Sequence, residues 1–153
     1  MSVYYLDTSA LVKLYVREPG TDQMLRLADP AGGHTFALLG LTRVEFRSAV
    51  RQRERAGDVT HDIAGSLIEN MDDHLASFFL VQPLTDLVIQ EAAALLDRHA
   101  LRAYDAVQLA GCIMLRARLG RHATFVCADR QLVRAAEDEG MTVLDPSVEA
   151  VEA

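Results

Sequence analysis

The sequence has little of what secreted and membrane proteins depend on. It contains 2 cysteines among 153 residues, and no apolar stretch approaches the roughly 20 residues that a membrane span requires. The N-terminus lacks the basic region and the small-residue cleavage site of a signal peptide. Cys112 and Cys127 both stand among apolar neighbours, which favours buried reduced thiols over a disulfide or a four-ligand metal site. We therefore expect a cytoplasmic protein that does not enter a membrane.

Basic side chains are also scarce. The chain has 15 Lys and Arg against 22 Asp and Glu, a net charge of −7. This balance argues against an extended nucleic-acid-binding surface, since phosphate contacts normally need a basic one. If several carboxylates share one metal-binding pocket, however, the remaining surface is closer to neutral. Lys13 is the only lysine, so nearly all cations are arginines, the better partner for phosphate or carboxylate.

Linkers, low-complexity segments and internal repeats are absent as well. A chain of 153 residues is long enough to bury ~68–70% of its unfolded surface without disulfides or a structural metal. The sequence therefore predicts a single domain over 1–153, with a core from about 3 to 146 and a C-terminal tail at 147–153.

Strand-like and helix-like segments alternate along the whole chain. Short β-rich runs predict strands at 3–6, 35–39, 79–83, 124–128 and 141–145. Helical periodicity predicts helices at 9–16, 21–28, 42–56, 60–79, 87–99, 102–119 and 130–139. Strands separated by helices pair in parallel through right-handed crossovers. The fold class is therefore α/β, a three-layer α/β/α sandwich with a mainly parallel central sheet of about five strands.

Four acids stand in contexts that are unusual for surface charge. Asp7 directly follows the strand VYYL and Asp129 follows the strand TFVCA, at the sheet edge where parallel α/β folds bind ligands. Glu45 and Asp105 lie at the starts of helices among small and apolar neighbours. The positions three and four residues from Glu45, where a cation usually neutralises a helix carboxylate, hold no Lys or Arg. For Asp105, only Arg102 could provide such a pair.

Each acid also has a purely structural interpretation. Asp7 and Asp129 could be helix N-caps, each worth ~1 kcal/mol. Glu45 could form a capping box with Thr42, and Asp105 could interact with the helix dipole. Taken together, however, several carboxylates in one pocket repel one another unless a cation holds them. Mg²⁺ or Mn²⁺ meets that need and can activate a water for phosphodiester hydrolysis.

The four contexts also carry a family resemblance. The segments LDTSALVKL, LTRVEFRSA, LRAYDAVQLA and ADRQLVRAAEDEGMTV resemble, in order and spacing, the motifs of the PIN-domain ribonucleases. They are most similar to the small toxins of VapC type from type II toxin–antitoxin systems, over residues 3 to about 146. The resemblance implies a PIN-like fold and a Mg²⁺- or Mn²⁺-dependent endoribonuclease. It also implies an RNA substrate, a cognate antitoxin, and a homodimer or a hetero-oligomer with the antitoxin.

The resemblance assigns roles to individual residues. The acidic quartet would be Asp7, Glu45, Asp105 and Asp129, with Asp7 and Asp105 as direct metal ligands and Glu45 and Asp129 as further ones. Thr8 and Ser9 stand where the family keeps hydroxyls near the first acid, positioned to bond metal-bound water. Cys127 departs from the family pattern, because many relatives have Thr or Ser two residues before the last acid.

Two questions stay open at this stage. Arg47, Arg51 and Arg55 recur every four residues on the helix of Glu45, and form either an RNA-contacting stripe or a solvated helix face. The alternative function is a catalytically weak PIN-like module that binds RNA or protein. A receiver domain is disfavoured because it needs a lysine after a late strand, where this chain has none.

Overall fold

The computed structural model describes residues 2–148, and its centre is a five-stranded parallel sheet. The strands are β1 (Val3–Leu6), β2 (Thr35–Leu39), β3 (Leu80–Gln82), β4 (Thr124–Val126) and β5 (Thr142–Leu144). Their order across the sheet is β3-β2-β1-β4-β5, and every neighbouring pair is parallel. Both the strand count and the parallel pairing confirm the prediction. Of the predicted tail at 147–153, residues 149–153 lie outside the described residues.

Within the described part of the chain, seven α-helices connect and cover the strands. They are α1 (Thr8–Val12), α2 (Thr21–Leu27), α3 (Thr42–Arg55), α4 (His61–Ser77), α5 (Asp86–Arg98), α6 (Ala103–Leu119) and α7 (Arg130–Asp138). Threonine side chains cap α4 and α5, where Thr60 and Thr85 accept bonds from backbone amides three residues on. Within residues 2–148, no helix combines the length and the apolar character needed to cross a bilayer.

The first helix is shorter than predicted. It ends at Val12 rather than at residue 16, and the backbone amides of Leu14 and Tyr15 bond to carbonyls three residues back. This tighter turn redirects the chain, and Lys13 forms a 3.0 Å ion pair with Glu18. The local apolar spacing continues past Val12, so the periodicity alone overestimates the helix.

Alternating side chains send β1 and β2 into two separate cores. Tyr5 and Leu39 belong to the core under α5, α6 and α7, whereas Leu6 and Leu38 belong to the core under α1, α2, α3 and α4. Helices therefore cover both faces of the sheet, which confirms the three-layer sandwich. Cys112 and Cys127 are both free and buried, as predicted.

The strand order reverses at β1, which is the feature that positions a site. From β1 the chain builds β2 and β3 on one side and β4 and β5 on the other. In open parallel sheets, a crevice forms outside the carboxyl ends of the strands at such a reversal. Leu6 pairs with Val126 there, so the ends of β1 and β4 lie side by side.

Candidate active site

Asp7 is the buried acid at the centre of this edge. Its backbone amide donates to the Val126 carbonyl at 3.1 Å, which ties the end of β1 to β4. Its Oδ1 atom accepts from the Ala10 amide at 2.9 Å and from the Ser9 hydroxyl at 2.7 Å, and the Cys127 thiol also donates to the carboxylate. The predicted N-cap is therefore confirmed for α1, yet the carboxylate is only 4% exposed.

Burial makes this carboxylate hard to ionise. The net pKa of Asp7 is raised to about 6: desolvation raises it most, the charge of Asp105 adds to the rise, and the bonds from Ser9, Ala10 and Cys127 oppose it. A nearby cation would favour the charged form of such a group. A cation beside Asp7 would therefore offset part of the cost of burying its charge.

Glu45 lies in the first turn of α3 and is half-buried against α6. Its Oε1 atom accepts from Gln108 Nε2 at 2.7 Å, and the Thr8 hydroxyl also donates to the carboxylate. Burial raises the pKa of Glu45, the bonds from Gln108 and Thr8 oppose that rise, and the charge of Asp105 adds to it. Both donors come from elements other than α3, so the position of Glu45 depends on tertiary contacts.

The expected capping box between Thr42 and Glu45 is wrong. The N-cap of α3 is Leu41, which makes no side-chain cap bond, and Thr42 is already the first helical residue. The Thr42 hydroxyl is fully buried and accepts from Gln108 Nε2 at 2.9 Å. The side-chain amide of Gln108 on α6 therefore bonds to Thr42 and Glu45, the two side chains that a capping box would have used.

Asp105 and Asp129 are joined by one arginine. Arg102 places Nε 3.0 Å from Asp105 Oδ2 and Nη2 3.6 Å from Asp129 Oδ2, while its side chain stays 77% exposed. Asp129 is the N-cap of α7, as predicted, and accepts from the Leu132 amide through Oδ1 at 3.0 Å. One oxygen of Asp129 thus caps a helix and the other faces Arg102.

These contacts bring the four predicted acids to one edge of the sheet. The charge of Asp105 acts on both Asp7 and Glu45, and Arg102 links Asp105 to Asp129. No three His, Cys, Asp or Glu side chains of residues 2–148 form a group that could enclose a metal. Mg²⁺ commonly uses one or two carboxylates and keeps several waters, and Asp7 and Asp105 offer hard oxygen donors of that kind.

The sequence reasoning missed Gln108 and Tyr5. Gln108 is 2% exposed, and its Oε1 atom accepts from the hydroxyl of the fully buried Tyr5 at 3.3 Å. The available signal was a glutamine on the apolar stripe of α6, three positions after Asp105. Arg102 was seen only as a partner for Asp105, and its second contact, with Asp129, joins segments far apart in sequence.

The arginine stripe on α3 is not uniform. Arg47 is exposed beside a cavity of about 190 Å³ between α3 and α4, and Arg55 is also exposed. Arg51 is occupied by a 2.9 Å ion pair with Glu54. RNA contact by Arg47 and Arg51 stays a prediction. The larger cavity of about 1190 Å³, bordered by α2, contains none of the four acids, so size alone does not identify the site.

Comparison with known proteins shows which family and which solved structures the chain resembles. The PIN domain family model matches residues 4–138, a range that includes all four acids. Two curated relatives come from Mycobacterium tuberculosis. Ribonuclease VapC47 is 29% identical over 144 residues, covering 93% of this chain and 96% of the relative. Ribonuclease VapC46 is 31% identical over 147 residues, covering 96% and 100% respectively.

A solved structure shows the same fold. A toxin–antitoxin complex from Klebsiella pneumoniae matches with a TM-score of 0.62 and 15% identity, covering 95% of this chain and 98% of the matched chain. The similarity therefore extends over nearly the full length of both chains.

Proposed function

The chain belongs to the PIN domain family, and on that basis we propose that it is a metal-dependent endoribonuclease acting as the toxin of a toxin–antitoxin pair. The observation that carries the proposal is the buried Asp7 carboxyl, with its raised pKa, at the carboxyl end of β1 and within the influence of Asp105. The curated relatives carry the name ribonuclease VapC, which supports RNA as the substrate.

The four acids would share the work of such a site. Asp7 and Asp105 would hold Mg²⁺ or Mn²⁺, with Glu45 and Asp129 beside them. When bound, the metal supplies activation of a water and stabilisation of the leaving oxygen in phosphodiester hydrolysis. The chain supplies the orientation: Ser9 and the Ala10 amide hold Asp7, and the Leu132 amide holds Asp129.

The two hydroxyls next to Asp7 have different contacts. Ser9 bonds to Asp7, and its Oγ also accepts from the Ala128 amide at 3.3 Å, so it connects the first turn of α1 to the segment after β4. Thr8 bonds to Glu45. Both hydroxyls thus bond to acids of the quartet, and a contact with metal-bound water stays a prediction.

Arg102 is the cation best placed to meet the RNA. Its guanidinium lies beside Asp105 and Asp129 and remains largely exposed. Arginine presents five donors in a rigid fork that matches phosphate. We propose that Arg102 attracts the RNA backbone toward the acids. The net charge of −7 would otherwise repel the RNA.

An antitoxin is the proposed protein partner. The matched complex from Klebsiella pneumoniae is described as toxin–antitoxin, and the structural similarity covers nearly the whole chain. We extend that partnership to this protein, together with a homodimer as the proposed assembly of the toxin itself.

The test is RNA cleavage by purified protein. Wild type is expected to cut RNA with Mg²⁺ or Mn²⁺ and not in EDTA, and Asp7→Asn and Asp105→Asn are expected to lose at least ~100-fold of that activity. Asp58→Asn, an exposed carboxyl after α3, is the matched control and should cleave as wild type. Equal cleavage by all four proteins contradicts the metal mechanism. Retention of RNA without any cleavage favours a binding module instead.

A further inference from the structure

A buried polar group connects the two helices behind the proposed active site. Gln108 of α6 lies within hydrogen-bond distance of three oxygens: Glu45 Oε1 at 2.7 Å, Thr42 Oγ1 at 2.9 Å and Thr8 Oγ1 at 3.3 Å. On its other side, its carbonyl accepts from the Tyr5 hydroxyl. Gln108 is only 2% exposed, and it makes hydrogen bonds through both its side-chain nitrogen and its side-chain oxygen.

The hydrogens available at Gln108 fix the direction of these bonds. A side-chain amide has two N–H groups, and the two shortest contacts, to Glu45 and Thr42, account for both. The Thr8 hydroxyl in turn donates to Glu45. If the amide were reversed, its oxygen would face the Glu45 carboxylate, which offers no proton when ionised. Only one orientation therefore satisfies all the partners.

Tyr5 selects that orientation from behind. Its side chain is fully buried, and its hydroxyl, which like any tyrosine hydroxyl carries a proton at neutral pH, donates to Gln108 Oε1 at 3.3 Å. Among the described residues, the only side chain that the Tyr5 hydroxyl bonds to is Gln108, through the amide oxygen. Gly111, one turn along α6, leaves room for the hydroxyl, because a Cβ atom at that position would overlap it.

The arrangement crosses the edge of the sheet. Tyr5 and Gln108 belong to the layer of α6, whereas Glu45 projects from α3, which packs on the opposite face. An apolar residue at position 108 would leave the buried hydroxyls of Tyr5 and Thr42 without the bonds they make to Gln108. Burying an amide there is unfavourable unless it is bonded, so its placement against an acid of the quartet calls for a reason beyond packing.

We propose that Gln108 is a positioning residue that holds the Glu45 carboxylate toward the metal site, and that Tyr5 acts through it by fixing the orientation of the amide. The proposal rests on the proposed function, because it concerns the same acidic site. Groups that orient metal ligands typically change metal affinity or activity by about 10–100-fold when they are removed.

The experiment measures Mn²⁺ affinity without RNA, by the EPR signal of free Mn²⁺, and then kcat and KM for RNA cleavage. Gln108→Met keeps the length of the side chain and removes its donors. It is expected to weaken Mn²⁺ binding about 10-fold or more and to lower kcat with little change in KM. The same change in a Glu45→Gln background is expected to have no further effect, because the group that Gln108 positions has lost its charge.

The matched control is Gln82→Met. Gln82 is 4% exposed at the end of β3, two strands away from Asp7, and its Oε1 atom has no hydrogen-bond partner within residues 2–148. This variant tests the loss of a buried amide as such. Its Mn²⁺ affinity and kcat are expected to equal those of wild type. Urea unfolding measures the unfolding free energies of Gln82→Met and Gln108→Met, so that any loss of stability can be compared between them.

Tyr5→Phe is the milder variant and keeps the ring stacked on Phe125. It is expected to weaken Mn²⁺ binding less than Gln108→Met does, and to add nothing in the Gln108→Met background. Unchanged Mn²⁺ affinity in folded Tyr5→Phe overturns the role of Tyr5 even if Gln108→Met does not fold. Additive losses in the double variant likewise indicate two independent structural effects and overturn the proposal.

The two proposals fail in different ways. Wild type that binds Mn²⁺ but cuts no RNA contradicts the proposed function, while the metal affinities still test Gln108. Wild type that binds Mn²⁺ and cuts RNA, with Gln108→Met matching it in both, contradicts only the positioning role. Mn²⁺ binding by neither wild type nor any variant contradicts both.

Discussion

Asp7 shows how one residue can combine a structural bond with an unfavourable charge. Its Oδ1 atom caps α1, which stabilises the fold, yet the carboxylate is buried and its pKa is raised to about 6. The cap would work as well from an exposed position, as it does for Asp29 before the short helix at 30–32. The burial of Asp7 therefore reflects its place at the edge between β1 and β4 rather than the needs of the helix.

We expect Asp7→Asn to stabilise the metal-free protein at neutral pH. A carboxyl pKa that is about 6 when folded, against 3.8 ordinarily, destabilises the folded state by up to about 3 kcal/mol once the pH is above 6. That penalty disappears as the pH falls below 4, because both states are then protonated. Urea unfolding in EDTA should therefore show an advantage for the variant at pH 7 that shrinks steadily on acidification.

Asp58→Asn provides the comparison for this measurement. Asp58 is exposed after α3, so its substitution should change the unfolding free energy little at any pH. A stabilisation by Asp7→Asn that is constant from pH 7 to pH 4, or that grows on acidification, would contradict the assignment of the raised pKa to Asp7.

Arg102 invites a second prediction at the residue scale. Its guanidinium contacts two proposed metal-site acids, so Arg102→Gln should bind Mn²⁺ several-fold more tightly because a competing cation is gone. The same variant should bind RNA more weakly, with a salt dependence reduced by about one phosphate contact. EPR titration of Arg102→Gln against wild type measures the Mn²⁺ affinity, and filter binding with the non-cleaving Asp7→Asn protein as background measures the RNA affinity.

Arg17→Gln is the matched control. Arg17 is also an exposed arginine in an ion pair, 2.9 Å from Asp22 at the start of α2, but it contacts none of the four acids. An equal loss of RNA affinity in both arginine variants would mean that general charge, rather than a contact near the acids, explains the result.

At the scale of elements, the site depends on how closely α6 approaches β1. Gly111 lies in the interior of α6, where a Cβ atom would overlap the Tyr5 hydroxyl and come 3.0 Å from Leu39 Cδ1. Both neighbours are fully buried. The glycine thus permits the approach of helix and strand that brings Gln108 beneath Glu45.

Two helix glycines should therefore respond in opposite ways to alanine. Gly111→Ala is expected to destabilise the protein by about 1–3 kcal/mol through overpacking. Gly65→Ala in α4 adds a Cβ atom that meets nothing within 4 Å, and should stabilise by up to about 1 kcal/mol through helix propensity. Urea unfolding measures both, and a shift of the same sign in the two variants would contradict the packing described at Gly111.

At the scale of the whole molecule, carboxylates gathered at one edge of the sheet repel one another, so a cation bound among them should stabilise the folded state. Anything that binds the folded state alone stabilises it by about 2.7 kcal/mol at a hundredfold excess over Kd. For a chain of this length that corresponds to a rise of roughly 5–10 °C in Tm. We expect MnCl₂ to produce such a rise in wild type, measured by thermal unfolding at constant ionic strength.

The same salt should leave Asp7→Asn and Asp105→Asn nearly unchanged, since each variant lacks a proposed ligand. NaCl at matched ionic strength controls for general screening of the net charge of −7. If both variants gained as much as wild type from MnCl₂, the metal would be acting elsewhere on the molecule.

Much of the fold was readable from local patterns. The five strands follow from short β-rich runs, the seven helices from 3.6-residue periodicity, and the parallel pairing from the alternation of the two along the chain. The caps at Asp7 and Asp129 follow from single residues at strand ends. The same reasoning failed at Thr42 and Glu45. Their spacing is typical of a capping box, but the outcome depended on a donor in α6, 63 positions after Glu45.

The sequence by itself determined which segments form, which faces they bury and which acids lie at strand ends or helix starts, because each of these depends on near neighbours in the chain. Only the tertiary structure decided which donor holds which acid. Thr8 and Gln108 are 100 positions apart, yet both bond to Glu45, whereas Ser9 bonds to Asp7. Such contacts depend on how closely α3, α6 and β1 approach one another, and packing of that kind leaves no periodic signal in the sequence.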